Sequence, residues 1–236
     1  MTKKNLTEDV KPSRISSAYV NAPFDEGKAE LERNGYRVIS LEEAAKLRME
    51  RGLNSKIADD GFWVKEGMLY VPNKGIYITK NSPVMAYPEM ATQAHRTGSD
   101  FYLREEEVEK ALEDSIQLPP HSIKIPTDRF RDDALAFYLF GNQAEKYGDH
   151  LYNETDENSE PIDKIIVHVD DKSFKETEHP FARQIYLDGL GHGSDIYGDG
   201  RNFHSDGPLT LYGMDVGKSK SYFDIRGIKE VEKNEW

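Results

Sequence analysis

Residues Phe181 to Gly217 read FARQIYLDGLGHGSDIYGDGRNFHSDGPLTLYGMDVG, and the fold of the chain is decided by how this stretch is understood. Its apolar residues (Leu187, Leu190, Ile196, Phe203, Leu209 and Leu211) recur at spacings that suit neither a helix nor a strand. Asp, Gly, His, Ser, Tyr and Asn fill the gaps. The chain contains 19 Lys and 23 Glu, yet neither occurs between His179 and Gly217. Such a segment is expected to be a loop pinned by its apolar residues and displaying its small polar ones. Gly and Asn reach backbone angles closed to other residues. Tyr supplies contact area at low entropic cost, and Ser, Gly and Asn adapt their hydrogen bonding. Recognition concentrates on loops held by a rigid scaffold. The competing reading is a Gly-rich connection without a role, although long irregular loops are uncommon unless functional or disordered.

Outside this stretch, composition narrows the possibilities. At 236 residues the chain can bury a sizeable core, as one large domain or two small ones. With no Cys it has no disulfide framework, no thiolate chemistry and no Cys-ligated zinc. A net charge of −12 argues against a general nucleic-acid binder, which needs a basic face. The longest apolar run, Ala134 to Phe140, is far too short to span a membrane. The opening MTKKNLTEDVKPSR lacks the apolar core of a secretory signal, so the sequence by itself points to the cytoplasm.

Residues 1–20 form a polar tail, expected to be frayed to about residue 18. A single domain over 21–236 is expected, with the displayed loop at about 182–217. Pro23 and Gly35 bracket a helix. Tyr36 to Ile39 is a short strand, and Ser40 to Glu43 is a capping box opening a helix that closes at Gly52. Leu41, Ala44, Ala45 and Leu47 form its inner face. Phe62 to Val64 and Met68 to Val71 suggest a hairpin turning at Glu66-Gly67, with a third strand over Ile76 to Thr79. A helical region from Ser82 towards His95 is interrupted by Pro88. Leu103 to Leu112 is an acidic, solvated helix. Pro119, Pro120 and Pro126 mark 117–127 as a candidate internal boundary or long connection. Asp128 to Tyr147 is expected to be one long central helix. Ile162 to Val169 forms a buried strand, and Leu209 to Met214 and Tyr222 to Ile228 close the chain as strands. Helices and strands mix without a βαβ rhythm, so the class is α+β.

Several motifs come close to known chemistry and fall short. Gly213 to Ser219 has three residues between its glycines where a phosphate loop needs four. Asp195, Asp199, Gly200 and Asp206 occupy calcium-loop positions, but Tyr197 stands at the third and no Glu closes the loop. Ser194 has His192 and Ile196 where a nucleophile elbow needs glycines. His192 and His204 with Asp188, Asp199 and Asp206 could serve a metal-dependent hydrolase, without any HxxxH or HExxH spacing. His168, Asp170 and Asp171 sit at a strand end and suit a structural role.

The run Ala182-Arg183-Gln184-Ile185-Tyr186-Leu187, the small polar pairs around Leu190, Gly193-Ser194, Gly198, Arg201-Asn202-Phe203 and Gly207 together resemble a known family. It is that of the variable proteins of archaeal diversity-generating retroelements, of the type called archaeal variable protein A. About forty residues carry the resemblance. It implies a C-type-lectin-like fold with short antiparallel strands, several helices and a long irregular ligand-binding loop. It also implies a surface diversified by mutating adenines in a repeat copied through RNA. Asn codons randomised at their first two bases can yield Asp, Gly, His, Ser, Tyr or Asn among others, and never Lys, Glu, Gln, Met or Trp. Asp188, Gly189, Gly191, His192, Asp195, Tyr197, Asp199, Gly200, Asn202, His204, Ser205 and Asp206 are all reachable in this way, and are the expected ligand-binding residues. Leu187, Leu190, Ile196, Arg201 and Phe203 would be scaffold. The residue sets EPN and WND of calcium-dependent lectins are absent, so calcium-dependent sugar binding is not implied.

The expectation is therefore a non-enzymatic ligand-binding protein with no cofactor and no resident metal, a metal-dependent hydrolase being the alternative. Its partner is an unidentified protein or surface ligand, in a symbiotic or host-surface setting, and surface display follows from the resemblance. Among the candidate binding and scaffold positions, four Asp (Asp188, Asp195, Asp199 and Asp206) against Arg201 favour a basic or hydrogen-bond-donating partner.

Overall fold

A computed structural model describes residues 7–9, 15–52, 55–97, 99–155, 159–192, 194–198 and 223–230. In chain order the first elements are β1 (Thr7–Asp9), β2 (Ile15–Ala22), α1 (Phe24–Arg33), β3 (Arg37–Val38), α2 (Leu41–Arg51) and α3 (Lys56–Asp59). Next come β4 (Phe62–Val71), β5 (Gly75–Thr79), α4 (Pro88–Thr97), β6 (Phe101–Tyr102) and α5 (Glu105–Leu112). They are followed by β7 (Ser115–Leu118), β8 (Ile123–Pro126), α6 (Ala134–Phe140), α7 (Ala144–Tyr152) and β9 (Lys164–His168). The last are α8 (Asp171–Glu176), β10 (Phe181–Leu187), β11 (Ile196–Gly198) and β12 (Phe223–Glu230).

The chain forms two compact units, each drawn from separated stretches of sequence. The first comprises 1–39, 87–99 and 201–236. In it β2 pairs antiparallel with both β1 and β12, and β3 pairs with β12. Residues 15–18, expected to fray with the tail, instead belong to an eight-residue strand, because Ile15 to Ala22 is matched residue for residue against Glu230 to Phe223. Helix α1 ends where expected, at Gly35 with φ +77°. Its Asp25 receives the Thr92 hydroxyl of α4 at 2.8 Å.

The second unit comprises 40–86 and 100–200 and contains most of the buried apolar residues. Strand β4 pairs antiparallel with β5 on one side and β10 on the other. Strand β5 continues to β7, whereas β10 continues to β11. Strand β11 then runs parallel to β9, which pairs with β8. Residues 117–127, the Pro-rich candidate boundary, supply parts of β7 and β8 inside this unit.

Two local expectations are corrected. The hairpin at Glu66-Gly67 does not form, and β4 runs straight through both residues. Glu66 turns its carboxylate towards the first N–H groups of α2, and the Ser82 side chain occupies the space a Cβ on Gly67 would need. The long helix over 128–147 is broken in two. Asp133 caps α6 through the Ala136 N–H at 2.8 Å, and Gly141 ends it with φ +55°, a conformation that favours glycine. The capping box of α2 is present in both directions, Ser40 Oγ to Glu43 N–H and Glu43 to Ser40 N–H.

Candidate functional site

The opening of the focal stretch is a strand. All seven residues of β10 are buried, so both faces are covered and no polar alternation marks it in the sequence. Its pairing with β4 is interrupted between Gln184 and Tyr186, and the Gln184 amide donates to the Val64 and Glu66 carbonyls across the interruption. Strand β10 ends at Leu187 and the chain returns in β11 at Ile196. The intervening turn is closed by the Asp188 N–H on the Asp195 carbonyl (2.9 Å) and the Ser194 N–H on the Gly189 carbonyl (3.1 Å). Leu187, Leu190 and Ile196 are buried beneath it, as a pinned loop requires. Each contributes roughly 1.5–3 kcal/mol by leaving water.

Arg48 holds this turn from below, and sequence reasoning did not single it out. It is fully buried on α2. Its Nε donates to the Ile57 carbonyl (2.8 Å), Nη1 to the Tyr147 hydroxyl (3.2 Å) and to Ser194 Oγ (2.8 Å). Nη2 donates to the Asp188 carbonyl (2.6 Å) and, at 3.5 Å, to that of Asp60. The Phe62 ring packs 5.3 Å from the guanidinium carbon. The Tyr147 hydroxyl and Ser194 Oγ are themselves 2.9 Å apart. Ser194, considered above as a nucleophile, is thus a buried structural hydroxyl. Its φ of +59° is uncommon for a residue other than glycine and is sustained by these contacts. A signal for Arg48 did exist in the sequence: Leu41, Ala44, Ala45 and Arg48 share one helical stripe, and a charge on an apolar stripe needs partners.

The candidate binding residues divide by environment. Asp188 and Gly189 face inward, contrary to the expectation that they point to solvent. The Asp188 carboxylate accepts the Gly189 N–H at 2.8 Å, and a Cβ on Gly189 would overlap the Asp59 carbonyl. Gly191 is half-exposed with open space where its Cβ would be. His192 closes a single 3-10 turn over Leu190–His192. Asp195 and Tyr197 are half-buried. Asp195 accepts the Ile166 N–H at 2.7 Å, and its second oxygen lies 3.0 Å from His168 Nε2. The Tyr197 ring stacks on His168 with centroids 4.2 Å apart. Burial, then the charges of Asp195 and Asp188, push the Tyr197 phenol above its ordinary value, so it stays neutral. Asp199, Gly200, Asn202, His204, Ser205 and Asp206, the scaffold candidates Arg201 and Phe203, and the strand expected over Leu209 to Met214 lie outside the described residues.

At the other end of β10, Arg183 is buried beside the stacked Tyr70 and Phe181 rings, its guanidinium carbon 5.1 Å and 5.0 Å from their centroids. It donates to Asp170 at 2.7 Å and to Asp100 at 3.2 Å. Burial alone would raise the Asp170 carboxyl, but hydrogen bonds from Ser173 and Arg183 outweigh it and hold the group below the ordinary aspartate value. Asp170 also caps α8 through the Ser173 N–H. The expected structural role of the strand-end cluster is therefore met by His168 and Asp170. Among the described residues, no three His, Asp or Glu side chains converge in a metal-binding group. Among them, too, no helix is long and apolar enough to cross a membrane.

No family model matches the chain, and no curated protein sequence matches it. A solved structure does, one described as the accommodation of massive sequence variation in Nanoarchaeota by the C-type lectin fold. The TM-score is 0.59 at 12% identity, over 98% of this chain and 99% of that one. At that identity the likeness concerns architecture, and the mixed helices and strands described above agree with it: the chain has an α+β, C-type lectin fold.

Proposed function

We propose that this chain is a non-enzymatic ligand-binding protein, the variable protein of an archaeal diversity-generating retroelement, whose hypervariable surface lies in the stretch following β10. The observation that carries the reading is the division of labour inside one turn. Leu187, Leu190, Ile196 and Ser194 are buried and hydrogen-bonded or packed, while Gly191 between them has open space where a Cβ would stand. A frame built in this way keeps its shape while the displayed residues change. The C-type lectin fold supports it, since the structurally similar protein is described as accommodating massive sequence variation on that fold.

The acidity of the surface is reduced from the simple count, because Asp188 and Asp195 are engaged inside the frame. Asp199 and Asp206 remain to favour a partner with basic or hydrogen-bond-donating groups, borne by a protein or by the surface of a host or symbiont. To test the reading, copies carrying exchanged residues at Gly191, His192, Asn202, His204 and Ser205 would be displayed and selected against candidate partners. Selected copies should bind different partners with Tm values within about 2 °C of one another, as surface substitutions of ±0.5 kcal/mol imply for a chain of this size. Identical binding across all copies would remove the proposal. Purified protein holding one tightly bound metal per chain would favour the hydrolase instead.

A further inference from the structure

We propose that Arg48 is the positioning residue of the ligand-facing turn, and that the exchangeable part of that turn begins at Gly191, not at Asp188. This rests on the binding role just argued and assigns to it a residue on a helix remote in sequence.

Arg48 touches the turn at its two ends: at the Asp188 carbonyl, where the chain leaves β10, and at Ser194 Oγ, where it enters β11. Its five N–H groups face five acceptors, three carbonyls and two hydroxyls, and none of these is a side-chain carboxylate. The planar fork therefore fixes the separation of the two ends. Lys, with a point charge on a flexible stem and three donors, cannot reproduce that spacing. The carbonyls of Ile57 and Asp60 tie the same guanidinium to the segment whose Asp59 carbonyl closes the space beside Gly189. The inner wall of the turn is thus main chain, which no exchange of side chains can move aside. A Cβ at position 189 meets that wall, whereas a Cβ at 191 meets nothing within 4 Å.

The test is amide hydrogen exchange on the full-length chain, comparing wild type with Ser194→Ala, Ser194→Gly, Arg48→Lys, Gly189→Ser and Gly191→Tyr. Ser194→Ala and Ser194→Gly both lose the hydroxyl, but only the glycine relieves the positive φ. Both should speed exchange of the Asp188 and Ser194 amides at least tenfold relative to amides of β4, and Arg48→Lys should do the same if it folds. Gly191→Tyr should leave all of these rates at wild-type values, and Gly189→Ser should not. If the Ser194 variants speed β4 and the turn equally, or speed neither, the positioning role is overturned. If Gly191→Tyr opens the turn as widely as Gly189→Ser, the boundary at Gly191 is overturned. The binding role fails separately: the exchange results then hold while Gly191 substitutions alter the binding of no selected partner.

Discussion

Glu66 shows how one residue can be misread from sequence and still prove consequential. Next to Gly67 it resembles a turn, yet it is fully buried in β4. Its Oε2 accepts the Leu41 N–H at 3.1 Å, one of the donors that every helix leaves free in its first turn. Its other oxygen has no hydrogen-bond partner. Burial pushes the carboxyl up to about 7, against the opposing pull of backbone hydrogen bonds and of Lys80 and Lys65. Lys80, which donates to the Leu139 carbonyl and lies over the Tyr138 ring, is itself lowered by burial despite the charges of Glu66 and Glu42. The Tyr138 phenol is raised by the same burial and stays neutral. In the unfolded chain Glu66 releases its proton near pH 4.5; in the folded chain it does so near 7. The stability tied to its protonated form is therefore complete below pH 4.5 and lost as pH rises through 7, on the order of 3 kcal/mol in all. Urea unfolding at pH 5 and pH 8.5 should show the lower midpoint at pH 8.5, and Glu66→Gln should flatten the difference. Parallel pH profiles for the two proteins would mean that Glu66 is ionised throughout.

Among the elements, those with local chemical punctuation were legible. Helix α2 announces itself by Ser40 and Glu43, and Ser40→Ala should cost about 1 kcal/mol, read as a lower Tm. The break between α6 and α7 was hidden, because an apolar run looks continuous while the backbone reverses at Gly141. There a Cβ would also meet the Glu42 carboxylate, so Gly141→Ala should cost roughly 1–3 kcal/mol in chemical denaturation. The parallel seam of β9 and β11 was equally hidden. Parallel neighbours need no hairpin signal, and here the seam is bridged by Asp195, which accepts the Ile166 N–H and pairs with His168. Asp195→Ala should destabilise by about 1–3 kcal/mol and Asp195→Asn by less, since the amide oxygen still accepts. Equal costs for the two would show that charge, not acceptance, holds the seam. The frame of the candidate site was legible in Leu187, Leu190 and Ile196, whose apolar side chains among small polar neighbours marked them for burial. It was misread at Asp188 and Gly189, because their inward direction depends on Asp59 and Arg48, more than a hundred residues away.

At the scale of the molecule, both units are assembled from distant stretches, so composition along the chain carries no trace of their outline. The pairing of β2 with β12 joins residues 15–22 to residues 223–230, and nothing in either segment names its partner. The polar residues near the N-terminus looked dispensable for that reason. Deleting residues 1–22 should instead strip β12 of its long neighbour and expose an unpaired edge, with aggregation in size-exclusion chromatography as the expected outcome. A monodisperse, folded truncation would show that β12 is held without β2.

Arg48 also imposes an order of events during biosynthesis. Its acceptors at Asp188 and Ser194 follow it by 140 and 146 residues. At about 5–20 residues per second they leave the ribosome on the order of ten seconds later. Until then the guanidinium has only water, the nearby Ile57 and Asp60 carbonyls and, once it is made, the Tyr147 hydroxyl to bond with, so the nascent α2 cannot bury that face in its final form. The stretch from Asp188 onward is translated last in this unit, and its first turn acts as the latch: a chain with a defective latch would reveal itself as a late-arrested folding intermediate, long after the helices have formed.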